Sequence, residues 1–287
     1  MDFSEHRIPT PDGPKIYARD YAPVGAARRL PVLCLHGLTR NSADFEAVAP
    51  MIAALGRRVI VIDARGRGQS DNDPDATRYR PDVYVGDVLR MLDALNVPRA
   101  VFLGTSMGGI MTMLASIAAP ARITAAILND IGPEIAPAGI ARIASYVGKL
   151  GPCPSWNDAA EAIRASQSIA FPGKDDAFWK TFARRVARER RDGRIEFAYD
   201  PAIALAFAAP STVPPANMVP LFEALAAVPV LLIRGALSDL LSPDGVATMK
   251  RVKPDMEFAE VPNVGHAPTL EEPQAWQAIA DFLSRVE

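Results

Sequence analysis

Gly104-Thr105-Ser106-Met107-Gly108 lies between an apolar, β-branched run, Arg99-Ala-Val-Phe-Leu103, and a helix-forming run that extends from Met107 to Ala119. Read in order, these segments are a strand, a tight turn and a helix, with Ser106 at the corner of a G-x-S-x-G pattern. A turn this sharp crowds the backbone, so a Cβ at position 104 or 108 would meet the neighbouring strand or helix. The helix that starts here aims its unpaired N–H groups and positive dipole end at the same point, where negative charge develops during acyl transfer. The pattern makes Ser106 a candidate nucleophile.

The rest of the chain sets the context for that corner. With 287 residues, 49% hydrophobic and 22% charged, the composition is that of a globular protein with a sizeable core. A net charge of -2 with both signs interspersed argues against nucleic acid as a partner. The one basic cluster, Arg184 to Arg191, is interrupted by Glu189 and reads as the solvated face of a helix. No run of about 18 apolar residues is present and the N-terminal stretch lacks the apolar segment of a signal peptide, so the expectation is a cytoplasmic protein with no membrane partner, monomeric or homodimeric. Cys34 in an apolar run and Cys153 in a Pro-flanked loop give neither a disulfide framework nor a metal spacing, and no metal is expected.

Strand patterns at 3–9 and 14–22 flank Pro11-Asp12-Gly13 and read as a hairpin, followed by buried apolar runs at 30–35, 58–62, 99–103 and 123–129. From Pro133 to about Pro210 the chain turns helical and more polar, with Ser155 and Asp175 as N-caps of helices over 156–170 and 176–191. Strand patterns resume at Pro229-Val-Leu-Leu-Ile233 and Met256-Glu-Phe-Ala-Glu-Val261, and a last helix covers 273–286. Apolar strands alternating with helices predict an α/β fold, a mostly parallel sheet flanked by helices. Residues 1–132 and 211–287 form the two parts of the core, and 133–210 an inserted helical cap.

In such sheets ligands bind beyond the carboxyl ends of the strands, and the candidate residues follow strands. Of three histidines, His266 lies in Pro262-Asn-Val-Gly-His-Ala-Pro268 directly after the last strand and is the candidate general base. His36, in Leu35-His36-Gly37, is expected to hold its loop, and His6 near the terminus to be solvated. The acid that orients the base is Asp239, after the penultimate strand, with Asp130 in Leu128-Asn-Asp-Ile-Gly132 as the alternative. The Gly-rich turn Asp63-Ala-Arg-Gly-Arg-Gly-Gln-Ser70 lacks the Lys-Ser/Thr of a phosphate loop and reads as structural.

Leu35-His36-Gly37, Asp63-x-Arg65-Gly66-x-Gly68-x-Ser70, Gly104-x-Ser106-x-Gly108 and Gly265-His266, in this order, resemble the α/β-hydrolase superfamily. The resemblance spans roughly 30–132 and 219–287. It implies an eight-stranded sheet, a Ser106–Asp239–His266 triad, an oxyanion hole from the backbone N–H groups of Leu38 and Met107, and neither metal nor organic cofactor. Within the superfamily the chain is similar to the capped serine esterase, C–C hydrolase and enol-lactonase branch, in which cap helices follow the sixth strand. Two departures bear on substrate. The C–C hydrolases of aromatic ring-fission products usually carry a Ser-Gly-Pro-Gly-like loop after His-Gly and a Trp after the catalytic His; this chain has Leu38-Thr-Arg-Asn41 and Ala267-Pro268. Haloalkane dehalogenases and epoxide hydrolases use Asp where this chain has Ser106.

The expected activity is hydrolysis of a small carboxylic ester or lactone through an acyl-enzyme on Ser106. The alternatives are C–C hydrolysis of a diketone-like substrate by the same triad, and a receptor-like ligand-binding protein with little turnover. The partner in each case is a small molecule. Specificity is expected in the cap, where Ile140, Ile143, Tyr146, Val147, Ile169, Phe171, Phe178, Trp179, Phe182 and Phe207 offer apolar surface, most of it as packing. Arg40, His36, Tyr146 and Trp179 are the candidate substrate contacts, Arg40 for a substrate carboxylate.

Overall fold

Strands β3 (Val32–Leu35), β4 (Val59–Ile62), β5 (Ala100–Thr105) and β6 (Ile123–Asn129) are apolar along nearly their whole length because both faces of the sheet are covered. Alternate side chains divide between two cores. Leu33, Ile60, Phe102 and Leu128 point to one, and Val32, Cys34, Val61, Leu103 and Ile127 to the other. Fully burying each such side chain contributes roughly 1.5–3 kcal/mol, so the central strands carry much of the fold's stability. These observations come from a computed structural model that describes residues 2–25, 29–205 and 217–287.

The remaining strands of this sheet are β1 (Ser4–Pro9), β2 (Lys15–Tyr21), β9 (Val230–Gly235) and β10 (Glu257–Val261). The eight strands run in the order β1-β2-β4-β3-β5-β6-β9-β10. The first two strands form the expected hairpin; β2 pairs antiparallel with β4, and from β4 to β10 every pairing is parallel. This is the predicted α/β architecture, an eight-stranded, mostly parallel sheet. Helices α2 (Pro81–Ala94) and α3 (Met107–Ala118) pack on the first core. Helix α1 (Val48–Ala54) and the C-terminal helix, Pro273–Arg285, pack on the second.

Between β6 and β9 come α4 (Pro137–Tyr146), α5 (Trp156–Gln167) and α6 (Asp176–Val186). Ser155 and Asp175 cap α5 and α6 as expected, their side chains accepting from the N–H groups of Asp158 and Phe178. The helix expected to continue to 191 stops at Val186. Residues β7 (Ala187–Glu189) and β8 (Ile195–Phe197) instead form an antiparallel hairpin, with Ala187, Ile195 and Phe197 buried. The alternation of apolar and charged residues there has period two, and the run of arginines masked it. The basic cluster is accordingly split: Arg185 pairs with Glu46 and Glu271, Arg184 stacks on Trp156, and Arg188 pairs with Glu196 across the hairpin. The segment is tied to the core by Asn41 donating to Arg185 O, Asp200 N–H to Gly66 O and Tyr79 to Asp200. Phe207 and the expected boundary at Pro210 lie outside the described residues.

Candidate active site

The turn between β5 and α3 puts Ser106 at φ +52° and ψ −114°, the left-handed region that L side chains rarely occupy. Its N–H donates to Asn129 O at 2.9 Å, and its carbonyl accepts from Gly109 and Ile110, so the corner is fixed from both sides. The two flanking glycines are required sterically. A Cβ on Gly104 would strike the Gly108 carbonyl, and one on Gly108 would strike the Leu35 carbonyl.

His266 Nε2 faces Ser106 Oγ at 2.8 Å. Its loop is placed by the Gly265 N–H donating to Ala170 O at 2.7 Å and by the Leu237 N–H donating to Val264 O at 2.9 Å. Asn129 adds a clamp, its Nδ2 donating to Pro268 O and to Thr105 Oγ1. At 9% exposure, His266 is shielded but still open to the cleft.

The expectation for the acid is corrected here. Asp130, the alternative, has Oδ2 at 2.7 Å from His266 Nδ1 and is fully buried. Asp239 instead forms a two-pronged pair with Arg142 of α4, at 2.5 and 2.9 Å. Burial alone would raise the Asp239 carboxyl, but hydrogen bonds and charge from Arg142 outweigh it and hold the group below its ordinary value. The reason lies in the sheet order. Ser106 follows β5, Asp130 follows its direct neighbour β6, and the loop after β9 turns so that Ser238, not Asp239, points inward. The carboxylate of Asp130 accepts three hydrogen bonds: Gly235 N–H on Oδ1 at 2.9 Å, and Ser238 Oγ at 2.6 Å and His266 on Oδ2. Ser238 joins the site beyond the expected residues, and its place directly before Asp239 is the signal the sequence carries.

His36 does not reach the cleft, which corrects its place among the substrate contacts. It is buried with Nδ1 2.6 Å from Gly37 O, and its Nε2 accepts from the Ala64 N–H at 3.0 Å. Burial lowers its pKa to about 3, so the ring is neutral, with the proton on Nδ1 given to Gly37 O. The ring therefore pins the loop that carries Leu38, as the sequence suggested. The opposite side of that loop is held by buried Arg67, whose Nε donates to Leu38 O at 2.9 Å and whose Nη1 donates to Tyr84 OH at 2.8 Å. Asp63 braces the next turns, accepting from Ser42 N–H and Gln69 N–H at 2.5 and 2.8 Å; burial raises its pKa to about 6. Among the described residues, neither the Leu38 N–H nor the Met107 N–H has a backbone acceptor.

Trp179 is a third correction. It is buried against Phe171, Phe178 and Phe182, with its indole N–H donating to Lys174 O, and does not line the cleft. Tyr146 and Arg40 do line it, together with Ser106, His266, Ile143, Ile163, Phe197 and Tyr199. One wall of the cleft thus comes from loops at the carboxyl ends of the strands and the other from the segment between β6 and β9. Cys34 and Cys153 are free and buried, and His6 sits on β1 facing Asp20 at 3.3 Å. No helix among the described residues is long and apolar enough to cross a membrane.

A serine on a strand–helix corner, a histidine on the loop after the last strand and a carboxylate between them, all at one rim of an eight-stranded sheet, define a hydrolase. The chain belongs to the α/β-hydrolase family, whose model for the alpha/beta hydrolase fold matches residues 31–273. It is similar to a 3-hydroxybutyrate-oligomer hydrolase of Cupriavidus necator, 33% identical over 84% of each chain. It is also similar to a 2-(acetamidomethylene)succinate hydrolase of Mesorhizobium japonicum, 27% identical over 88% of this chain and 87% of the other. Among solved structures, an alpha/beta hydrolase from Novosphingobium aromaticivorans superposes with a TM-score of 0.92 at 42% identity, covering 100% of both chains.

Proposed function

We propose that this protein is a serine hydrolase that cleaves a small carboxylic ester or lactone through an acyl-enzyme on Ser106. The observation that carries the reading is the unbroken relay of contacts from Asp130 Oδ2 to His266 Nδ1 at 2.7 Å and from His266 Nε2 to Ser106 Oγ at 2.8 Å. With Nδ1–H directed at Asp130, the imidazole presents an unprotonated Nε2 to the hydroxyl, the tautomer a general base needs. His266 takes the Ser106 proton as Oγ attacks the carbonyl carbon. The N–H groups of Leu38 and Met107 hold the developing oxyanion, and the leaving alcohol takes the proton back from His266. Water then attacks the acyl carbon as His266 takes its proton; the bond from that carbon to Ser106 Oγ breaks, His266 returns the proton to Oγ, and the acid is released.

Asp130, buried and held by three donors, keeps the ring oriented and balances the imidazolium that forms. The segment from 133 to 210 acts in this reading as a cap, since Ile143, Tyr146 and Ile163 face the nucleophile across the cleft. The relative named for an oligomer of a hydroxy acid supports ester chemistry, because such oligomers are joined by ester bonds.

The experiment is active-site labelling with a fluorophosphonate, alongside hydrolysis of short p-nitrophenyl esters and of a vinylogous diketone. The wild type is expected to be labelled and to hydrolyse the esters faster, with labelling lost in Ser106→Ala. An unlabelled wild type would overturn the serine mechanism. Faster diketone cleavage would overturn the ester assignment.

A further inference from the structure

Arg40 stands two residues beyond Leu38, on the loop that packs against the nucleophile. A methyl group built on Gly37 would lie 3.6 Å from Arg40 Cγ and 3.7 Å from Ser106 Cβ, so the arginine stem and the serine flank the same point. The guanidinium is fixed in two ways. Its Nε donates to Asp44 Oδ1 at 2.8 Å, and its plane sits 4.1 Å over the Phe182 ring. Its two terminal nitrogens have no protein partner among the described residues, and the side chain retains 21% exposure where it lines the cleft. Arg185, the other arginine lining the cleft among the described residues, has its Nε and Nη1 tied to Glu46 and Glu271.

An arginine that is buttressed, stacked and open at its fork loses little conformational freedom when it binds, and the fork matches a planar carboxylate with two parallel N–H bonds. Asp44 refines the choice of anion. Asp44 offsets one unit of the guanidinium charge, so its repulsion costs a singly charged carboxylate about half what it costs a phosphate dianion, and the open fork suits the monoanion better. The apolar walls, Ile143, Ile163 and Phe197, suit a short aliphatic spacer between this anchor and Ser106.

We propose that Arg40 is a substrate-carboxylate anchor, so that the preferred substrates are esters whose acyl or alcohol part ends in a free carboxylate a few carbons from the scissile bond. This rests on the ester-hydrolase reading above and adds the substrate class to it. An arginine in this position determines specificity; the reacting atoms remain those of Ser106 and His266.

The test compares p-nitrophenyl hemiglutarate with the neutral p-nitrophenyl valerate in the wild type, Arg40→Gln and Arg40→Lys. The ratio of kcat/KM for the anionic over the neutral ester is expected to fall about 10- to 100-fold in Arg40→Gln, the usual worth of a charge-assisted pair of hydrogen bonds. Arg40→Lys, which keeps the charge and loses the fork, should fall between. A ratio unchanged in Arg40→Gln overturns the proposal, even if total activity drops. Calorimetric titration of Ser106→Ala with monomethyl glutarate, in the presence and absence of Arg40→Gln, reads the anchor without turnover. A Kd at least tenfold weaker in the double variant is expected, and equal Kd values overturn the anchor. If no ester is hydrolysed but this binding difference holds, the ester reading fails and the carboxylate site stands.

Discussion

Ser238 Oγ donates a 2.6 Å hydrogen bond to Asp130 Oδ2, the oxygen that also faces His266 Nδ1 at 2.7 Å. The same hydroxyl accepts the N–H groups of Leu240 and Leu241 at 3.2 and 3.0 Å, so it couples the turn after β9 to the carboxylate. Without it, the carboxylate is held only by the Gly235 N–H on Oδ1 and by His266 on Oδ2, and its angle to the imidazole is less tightly fixed. Ser238 is therefore a positioning residue. Ser238→Ala is expected to lower kcat about 10-fold, in line with one hydrogen bond to a charged group, with KM nearly constant. Ser238→Thr, which retains the hydroxyl, should restore most of the loss. Steady-state kinetics of the three proteins check this, and an equal drop in both variants would reduce Ser238 to a packing role.

Asp130→Asn and Asp239→Asn separate the two carboxylates that a single sequence leaves open. Replacing the acid that orients the imidazole stabilises the wrong tautomer, an effect on the order of 10³–10⁴ in kcat in triads of this type. Asp130→Asn is expected to lose that much. Asp239→Asn breaks only the partly exposed pair with Arg142, at a cost of at most about 1 kcal/mol in stability after solvent screening, and should leave kcat within about threefold. Parallel rate and urea-unfolding measurements decide the point; an Asp239→Asn enzyme with the larger kcat loss would reverse the assignment.

The contrast between those two residues shows what a sequence can and cannot specify. Strand, corner and helix around Ser106 were legible because each is written locally, in β-branched runs, obligate glycines and a helix-forming stretch. His266 was legible by elimination among three histidines and by its place after the last strand. The acid was not, because both candidates end strands on the same side of the sheet. The choice between them depends on which way the seven-residue loop between β9 and the helix that starts at Pro243 faces, a tertiary property set by Ser238, Leu240 and Leu241 together. Trp179 was misplaced for a related reason. An aromatic stripe at helical spacing reports that one face of α6 is covered, and here the cover is Phe171 and its own neighbours, not substrate space. The hairpin of β7 and β8 is three residues a side, too short for periodicity to outweigh the charge run that precedes it.

Two buried titrating groups on the loops beneath the cleft give the stability a pH signature. His36 is held neutral by burial, its pKa lowered from 6.5 to about 3, so between those values the unfolded chain binds a proton that the native protein does not. The native state then loses stability as pH falls below 6.5, by about 1.4 kcal/mol per unit. Asp63 has the opposite sign. Burial raises it from 3.8 to about 6, so between those values the native protein binds the extra proton and loses stability as pH rises. The two slopes oppose each other between about pH 4 and 6, and in the wild type they largely cancel. His36→Gln removes one of them. Urea unfolding from pH 4 to 7 should show the variant less stable than wild type at neutral pH. That gap should narrow by about 1.4 kcal/mol for each unit below 6.5, while the variant's own stability falls with rising pH from 4 to 6. A gap that stays constant across the range would mean that residue 36 does not carry the proton linkage.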